Sequence, residues 1–229
     1  MTEPGLLAIS NRLPELRSPS TPAGGRKRNV GGLVSALEPA LAARRGLWLG
    51  WSGRTAPAAA AGAGQGLAVG VDSASEPPLA WVDLPEAWQR RYYNGFCNGA
   101  LWPLLHSFPA RARFSDDDWA AYVAANDAFA DAARSLVGPA TPVWIHDYHL
   151  LLLARALRRR GHTGPIGLFV HTPFPGPEIF GLNPWAEEIA AALLDLDLAG
   201  FHTRAYADAF RRVAVELAGA APEGDALAS

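Results

Sequence analysis

The sequence predicts an α/β domain built on a parallel β-sheet with helices on both faces. Short, continuous apolar runs alternate with segments of helical periodicity, the pattern of strands buried from two sides. Polar groups recur just after these runs: Asn11-Arg12, Ser52, His146-Asp147 and His171-Thr172. The chain has 229 residues, 49% hydrophobic and 18% charged, which suits one packed domain and excludes global disorder. Ligands of open parallel sheets bind beyond the carboxyl ends of the strands, so the recurring polar groups also mark a site.

Leu6–Ile9 reads as the first strand, and a polar loop rich in proline and glycine runs from there to Val30. Gly31-Gly32 opens a helix with Leu33, Leu37 and Leu41 on one face. Leu47–Trp51 is the next strand, and Arg54–Gly66, low-complexity Ala/Gly, reads as a surface loop. Leu67–Val71 and Leu79–Val82 are short strands. The best-marked helix runs from Asp116 to Val137, with Ser115 as N-cap, Asp118 completing a capping box, and Gly138-Pro139 as its stop. Strand Pro142–Ile145 leads to a helix over His149–Arg160, whose terminal arginines Arg158, Arg159 and Arg160 suit the negative end of its dipole. Ile166–Val170 and Ala199–His202 are the last strands, and a helix continues to Leu217. Residues 219–229 have no periodicity and read as an unstructured tail.

The net charge of −2 argues against nucleic acid or an anionic membrane as partner. A single cysteine, Cys97, excludes an intrachain disulfide framework. The amino-terminal MTEPGLLAIS lacks the basic and apolar regions of a signal peptide. No run approaches the roughly 18 apolar residues of a membrane span. A cytoplasmic location is the resulting expectation.

Four motifs carry chemistry. Gly24-Gly25-Arg26-Lys27-Arg28-Asn29-Val30-Gly31-Gly32 joins close-approach glycines to a helix N-terminus and three cations, a set suited to phosphate, although a loop of solvated charges fits it equally. His146-Asp147-Tyr148-His149 supplies acid/base groups. A metal reading would draw on His146, Asp147, His149 and His171, but His146 and Asp147 face opposite ways and no further acid or cysteine completes a set. A carboxylate on substrate hydroxyls is preferred, and Asp147 as a helix cap stays open. His171-Thr172-Pro173-Phe174-Pro175-Gly176-Pro177-Glu178 fixes a histidine beside a proline-stiffened loop, either as a site residue or as the closure of a buried strand. Tyr92 to Pro103 interleaves aromatics with Asn94 and Asn98, which suits sugar rings, and equally suits a core stripe. Trp48-Leu49-Gly50-Trp51-Ser52-Gly53 has the same ambiguity.

Taken together, Ser10-Asn11-Arg12-Leu13-Pro14, Gly31-Gly32-Leu33, Trp48-x-Gly50-Trp51-Ser52-Gly53, Tyr92-Tyr93-Asn94-x-Phe96-x-Asn98-x-x-Leu101-Trp102-Pro103, Trp144-x-His146-Asp147-Tyr148-His149-Leu150 and His171-x-Pro173-Phe174-Pro175-x-x-Glu178-Ile179-Phe180 resemble the trehalose-6-phosphate synthase family, glycosyltransferase family 20, in order and spacing. The resemblance runs from about Leu6 to Arg212. It implies the N-terminal, Rossmann-like half of a GT-B fold. It also implies a retaining transferase that moves glucose from UDP-glucose to glucose 6-phosphate, giving α,α-trehalose 6-phosphate and UDP without a metal or other cofactor. The departing phosphate would itself help take the acceptor proton, so no glycosidase-type carboxylate pair is needed.

By the same resemblance, Arg12 would bind the acceptor phosphate, and Gly31 and Gly32 would form the loop over the donor. Tyr93 and Trp102 would shape the acceptor pocket, with Trp48 a further candidate. Asp147 would hold acceptor hydroxyls, and His171 would sit by the donor glucose, these two being the catalytic pair. The partners implied are a sugar phosphate and a nucleotide sugar, with homo-oligomerisation left open for a full-length form. Residues 1–218 would be the acceptor domain, and the family's nucleotide-binding domain would be absent from this chain, which is then expected to have little activity alone. Arg26-Lys27-Arg28 and Gly176 depart from the family pattern. A glucosylglycerol-phosphate synthase and a non-catalytic sugar-phosphate-binding subunit are the alternatives.

Overall fold

The computed structural model describes residues 3–14, 32–56, 67–224 and 226–228. Seven strands form one sheet in the order β3-β4-β2-β1-β5-β6-β7. They are β1 (Leu7–Arg12), β2 (Leu47–Ala56), β3 (Val69–Asp72), β4 (Leu79–Pro85), β5 (Val143–His146), β6 (Ile166–Val170) and β7 (Leu198–Phe201). All neighbours are parallel except β3, which runs antiparallel to β4 at the edge. The chain winds outward from β1 to β2 and β4, then returns to the middle and winds the other way through β5, β6 and β7. The gap between the carboxyl ends of β1 and β5 is therefore the topological switch point, where doubly wound sheets bind ligands.

Alternation along the central strands divides the core. Leu7, Ile9, Leu49, Val82, Val143, Ile145 and Leu168 face the larger apolar cluster. Its helical side consists of α4 (Asp116–Leu136), α5 (Leu153–Arg159), α7 (Ala186–Leu193), α8 (Arg204–Ala218) and a run of helix from Glu86 to Leu105. Leu6, Ala8, Trp48 and Leu79 face the other way, beneath Leu37 and Leu41 of α1 (Gly32–Ala43). Leu37 and Leu41 are the predicted helix face. The α6 turn (Pro177–Phe180) completes the set.

Most predicted strands and helices lie where expected, although β1 and β4 each run three residues past their predicted ends and α7 was not expected; four further departures have identifiable causes or consequences. First, β2 continues to Ala56, so Arg54 is strand, while residues 57–66 lie outside the described residues. Second, the helix expected over His149–Arg160 is broken: Tyr148–Leu150 form a 3₁₀ turn and α5 starts at Leu153. The cause lies in α4, where Tyr122 Oη accepts from the Leu151 amide and Asn126 Oδ1 from the Leu152 amide. These side chains take the donors a continuous helix would have used. Third, Ser115 occupies the N-cap position of α4, but its side chain makes no capping bond. Asp118 faces Arg91 and lies against Gly95 instead of closing a capping box. Fourth, the expected unstructured tail contains a two-stranded antiparallel ribbon, β8 (Ala221–Glu223) with β9 (Ala226–Ala228), held by Arg211 Nη2 donating to Gly224 O at 2.6 Å.

The largest element without a helical prediction is the run over Glu86–Leu105. It opens as α2 (Glu86–Trp88), continues as a π-helix (Gln89–Leu101) and ends as α3 (Trp102–Leu105). Its buried residues are Tyr92, Phe96, Cys97, Ala100 and Leu101, spaced by four and five. That is the period of a π-helix and matches no 3.6-residue template. Gly95 lets the run meet α4 closely, since a Cβ there would collide with the Asp118 carboxylate.

Arginines pin the outer helices. Arg160 pairs with Asp127 and Asp131 of α4 at 2.8 and 2.7 Å. Arg155 meets Asp195, and Arg158 meets Asp197, at 2.6 and 2.7 Å. Of the three terminal arginines read as a dipole complement, Arg158 and Arg160 thus serve as cross-links.

Trp48 is 1% exposed, with its indole N–H donating to Ser10 Oγ at 2.8 Å. Trp48→Phe leaves Ser10 without that donor in a buried site, so unfolding free energy should fall by about 1–2 kcal/mol in urea denaturation. Trp102→Phe, at an exposed position, should change it by less than about 0.5 kcal/mol. Equal losses for the two variants would contradict this placement of Trp48.

Candidate active site at the sheet switch point

The site is built from the carboxyl end of β1 outward. Ser10 Oγ accepts from Trp48 and donates a hydrogen bond to Arg12 O at 3.0 Å, while Asn11 Oδ1 accepts from Tyr92 Oη at 2.7 Å. With both preceding side chains tied down, Arg12 is left exposed at the strand end. Its guanidinium lies over the Trp51 ring, 5.5 Å from the centroid, an orienting contact that leaves its charge unneutralised. On its other side is Gly53, at φ +86°, where a Cβ would come within 2.8 Å of Arg12 Nη2. Glycine meets both demands at position 53.

At the carboxyl end of β5 the chain turns sharply at Asp147, φ +73°. The strain is balanced by bonding: Asp147 Oδ1 accepts from the amides of Tyr148 at 2.9 Å and His171 at 3.2 Å. One carboxylate oxygen thereby ties the β5 turn to the end of β6. The other, Oδ2, faces His149 Nδ1 at 4.0 Å. His149 is stacked between Tyr148 and Tyr93, with centroids 4.1 and 5.8 Å away, and Tyr93 in turn meets Trp51 at 6.2 Å. Arg12, Trp51, Tyr93, His149, Asp147 and His171 therefore form one continuous chain of contacts across the switch point.

The π-helix presents its solvent face to this chain. Tyr93, Asn98 and Trp102 recur at five and four residues, so they lie along one side. Asn98 Oδ1 accepts from Tyr148 Oη at 3.0 Å, which locks the helix to the β5 turn. Trp102 is 44% exposed and stacks on His106 at 4.1 Å.

Of the residues expected in the site, Arg12, Tyr93, Asp147 and His171 are thus brought together, and Trp102 lies on the same helical side as Tyr93. Gly32 is the exposed first residue of α1, and Gly31 lies outside the described residues. Trp48 is not brought together with these residues: it is buried under α1, and its three-residue offset puts Trp51 on the opposite face of β2. It is Trp51, not Trp48, that meets Arg12 and Tyr93. Residues on both faces of β2 are apolar, so alternation alone does not tell the two apart. Among the described residues no group of three or more His, Cys, Asp or Glu side chains is placed to hold a metal ion. Cys97 is a buried free thiol.

Burial governs the histidines. It pushes His146 down to about 3, reinforced by His171, and His149 down to about 4 against the opposing pull of Asp147. His171 is lowered by burial, with Asp147 raising it and His202 lowering it. Each is therefore neutral in the folded protein near pH 7, whereas in the unfolded chain each takes up a proton below about 6.5. Stability is fully present above that value and falls with decreasing pH toward 4. Between pH 7 and pH 5 we expect a loss of about 2 kcal/mol for each of His146 and His149. The urea midpoint measured across this window should track it, and His149→Gln should remove its share of the slope. A flat midpoint would refute the assignment.

The glycosyltransferase family 20 model matches residues 5–227. A trehalose-6-phosphate synthase of Cronobacter sakazakii is 37% identical over 200 residues, covering 86% of this chain and 39% of that protein. The crystal structure of an alpha,alpha-trehalose-phosphate synthase (UDP-forming) from Burkholderia vietnamiensis superposes with a TM-score of 0.81 at 32% identity, covering 96% of this chain and 44% of that one. One from Burkholderia xenovorans, in complex with glucose-6-phosphate, gives 0.77 at 30% identity, covering 96% and 45%. The chain therefore spans less than half the length of these relatives. No helix of the described residues is long and apolar enough to cross a membrane. Matched by the family model along almost its whole length and by the α/β architecture of solved members, the chain belongs to glycosyltransferase family 20.

Proposed function

We propose that this chain is the acceptor-binding part of a UDP-forming α,α-trehalose-phosphate synthase, which transfers glucose from UDP-glucose to glucose 6-phosphate with retention. The observation that carries the reading is the Arg12–Trp51–Tyr93–His149–Asp147–His171 chain at the switch point. It offers a cation with no ion-pair partner among the described residues, aromatic faces, and a carboxylate oxygen without a backbone partner. These are the three things a phosphorylated sugar asks for: charge-assisted bonds to phosphate, apolar ring faces to pack on, and acceptors for hydroxyls. The relative solved with glucose-6-phosphate supports that acceptor.

In this reading Arg12 holds the acceptor phosphate, with its geometry set by Trp51 and Gly53. Tyr93 and Trp102 bound the sugar, and Asp147 Oδ2 accepts from its hydroxyls. His171, held through its backbone by Asp147, stands where the donor glucose would meet the acceptor. Neutral imidazoles in a site that collects two anionic substrates avoid trapping either phosphate in a wrong register. The protein then works by positioning and by polar stabilisation of the departing diphosphate. The resemblance assigns most of the diphosphate ligands to the family's second domain, so UDP release by this chain alone should stay at background. A buried free thiol at Cys97 suits a reducing, cytoplasmic setting.

Calorimetric titration of the 229-residue chain tests the acceptor site directly. Glucose 6-phosphate should bind saturably and more tightly than glucose. Arg12→Ala should weaken it by about 10–100-fold while leaving glucose unchanged. Gly53→Ala, which pushes a methyl group into the guanidinium, should weaken glucose 6-phosphate in the same selective way. Binding indifferent to the phosphate, or to Arg12, would sink the reading.

A further inference from the structure

His146 is the last residue of β5 and is 2% exposed. Its Nδ1 lies 3.1 Å from His171 Nε2, with the two rings 28° apart in orientation. Its Nε2 is buried and has no partner among the described residues. Two neutral imidazoles joined by one hydrogen bond share a single proton along it, and two arrangements are open. If His171 donated, His146 would carry its own proton on Nε2, leaving a buried N–H without an acceptor. If His146 donates from Nδ1, the orphan is only a lone pair. Buried orphan donors are rare in proteins, and orphan acceptors less so. The groups facing His171 are Asp147, His202 and His146. Asp147 Oδ1 is taken up by backbone amides, and the His202 ring is 5.7 Å away edge-on.

We propose that His146 is a positioning residue for His171: its Nδ1–H donates to His171 Nε2, which fixes His171 as the Nδ1–H tautomer and makes that N–H the single hydrogen-bond donor of its ring. The suppression of protonation on His146 by burial fits this arrangement, since a neutral donor can hold the tautomer across the physiological range. Resting on the function proposed above, the consequence is that His171 meets the donor sugar as a donor to a hydroxyl oxygen. The free histidine side chain prefers the opposite, Nε2–H form, so the tautomer itself is a signature that mere packing does not produce.

The test is a long-range proton–nitrogen correlation spectrum of the ¹⁵N-histidine-labelled 229-residue chain at pH 7.5, with His171→Gln identifying the relevant signals. In the wild type, His146 and His171 should both show the Nδ1–H pattern. His146→Phe should return His171 to a majority Nε2–H form. His146→Asn, whose amide N–H₂ takes the place of the Nδ1 donor, should restore the Nδ1–H form. An Nε2–H pattern for His171 in the wild type overturns the proposal without any variant, so a misfolded Phe variant would not shield it. An Nδ1–H pattern unmoved by His146→Phe in a folded protein overturns it too. The spectrum needs no ligand, so this outcome is independent of whether glucose 6-phosphate binds.

Discussion

The turn at Asp147 is the constraint on which the rest of the site depends. A non-glycine residue at φ +73° is costly, and it persists because its own carboxylate binds the amides on either side of a gap between two strands. Without that turn the chain leaving β5 would run straight on. His149 would not fold back between Tyr93 and Tyr148, and His171 would lose its backbone anchor. Asparagine at 147 keeps one acceptor oxygen but weakens both bonds by removing the charge. The same group therefore carries shape and, in the proposed function, chemistry together: Oδ1 is spent on the fold, and Oδ2 keeps no backbone partner.

Around that turn the second organising device is the π-helical winding of Gln89–Leu101. A wider helix moves alternate contacts by four and five residues, which puts Tyr92, Phe96 and Cys97 into the core while Tyr93, Asn98 and Trp102 stay along one solvent side. Tyr92 and Tyr93 are adjacent in sequence yet do opposite jobs. The first fixes Asn11 by a hydrogen bond in the core, and the second stacks on His149 at the site. In an α-helix the five-residue step from Tyr93 to Asn98 would turn Asn98 well away from Tyr93, and Asn98 would not reach Tyr148. Such windings are expensive, and they occur mainly at functional sites.

How much of this is legible in the sequence follows from the reach of each signal. Strand–helix alternation is local, so the sheet, α1, α4 and α8 can be read directly. The polar groups at strand ends follow from the same alternation, which is why Arg12, Asp147 and His171 stand out along the chain. The π-helix is illegible because its period belongs to no common template, and its two interior glycines argue against helix altogether. The break before α5 is illegible for a different reason: the groups that cause it, Tyr122 and Asn126, lie on another helix, 29 and 26 residues before the amides they hold. Trp48 and Trp51 cannot be separated because both faces of β2 are buried, and no polarity contrast marks which one meets the site.

The described arginines divide into those that cross-link elements and those, Arg12 among them, that meet no carboxylate among the described residues. Arg91, Arg155, Arg158, Arg160 and Arg212 each face a carboxylate within 4 Å, and their role is to hold elements together. Arg12 is held instead by an aromatic face and a glycine. A carboxylate would have fixed it at least as firmly, but would then have to be displaced by any incoming anion, at the cost of leaving a buried acid unpaired. A tryptophan ring orients the guanidinium without competing for its N–H groups. Ser10, Asn11, Trp48 and Tyr92 fix the backbone beneath it by hydrogen bonds that likewise leave the charge untouched. The arrangement separates rigidity from neutralisation, which is what the phosphate site proposed at Arg12 would need for binding both selective and reversible.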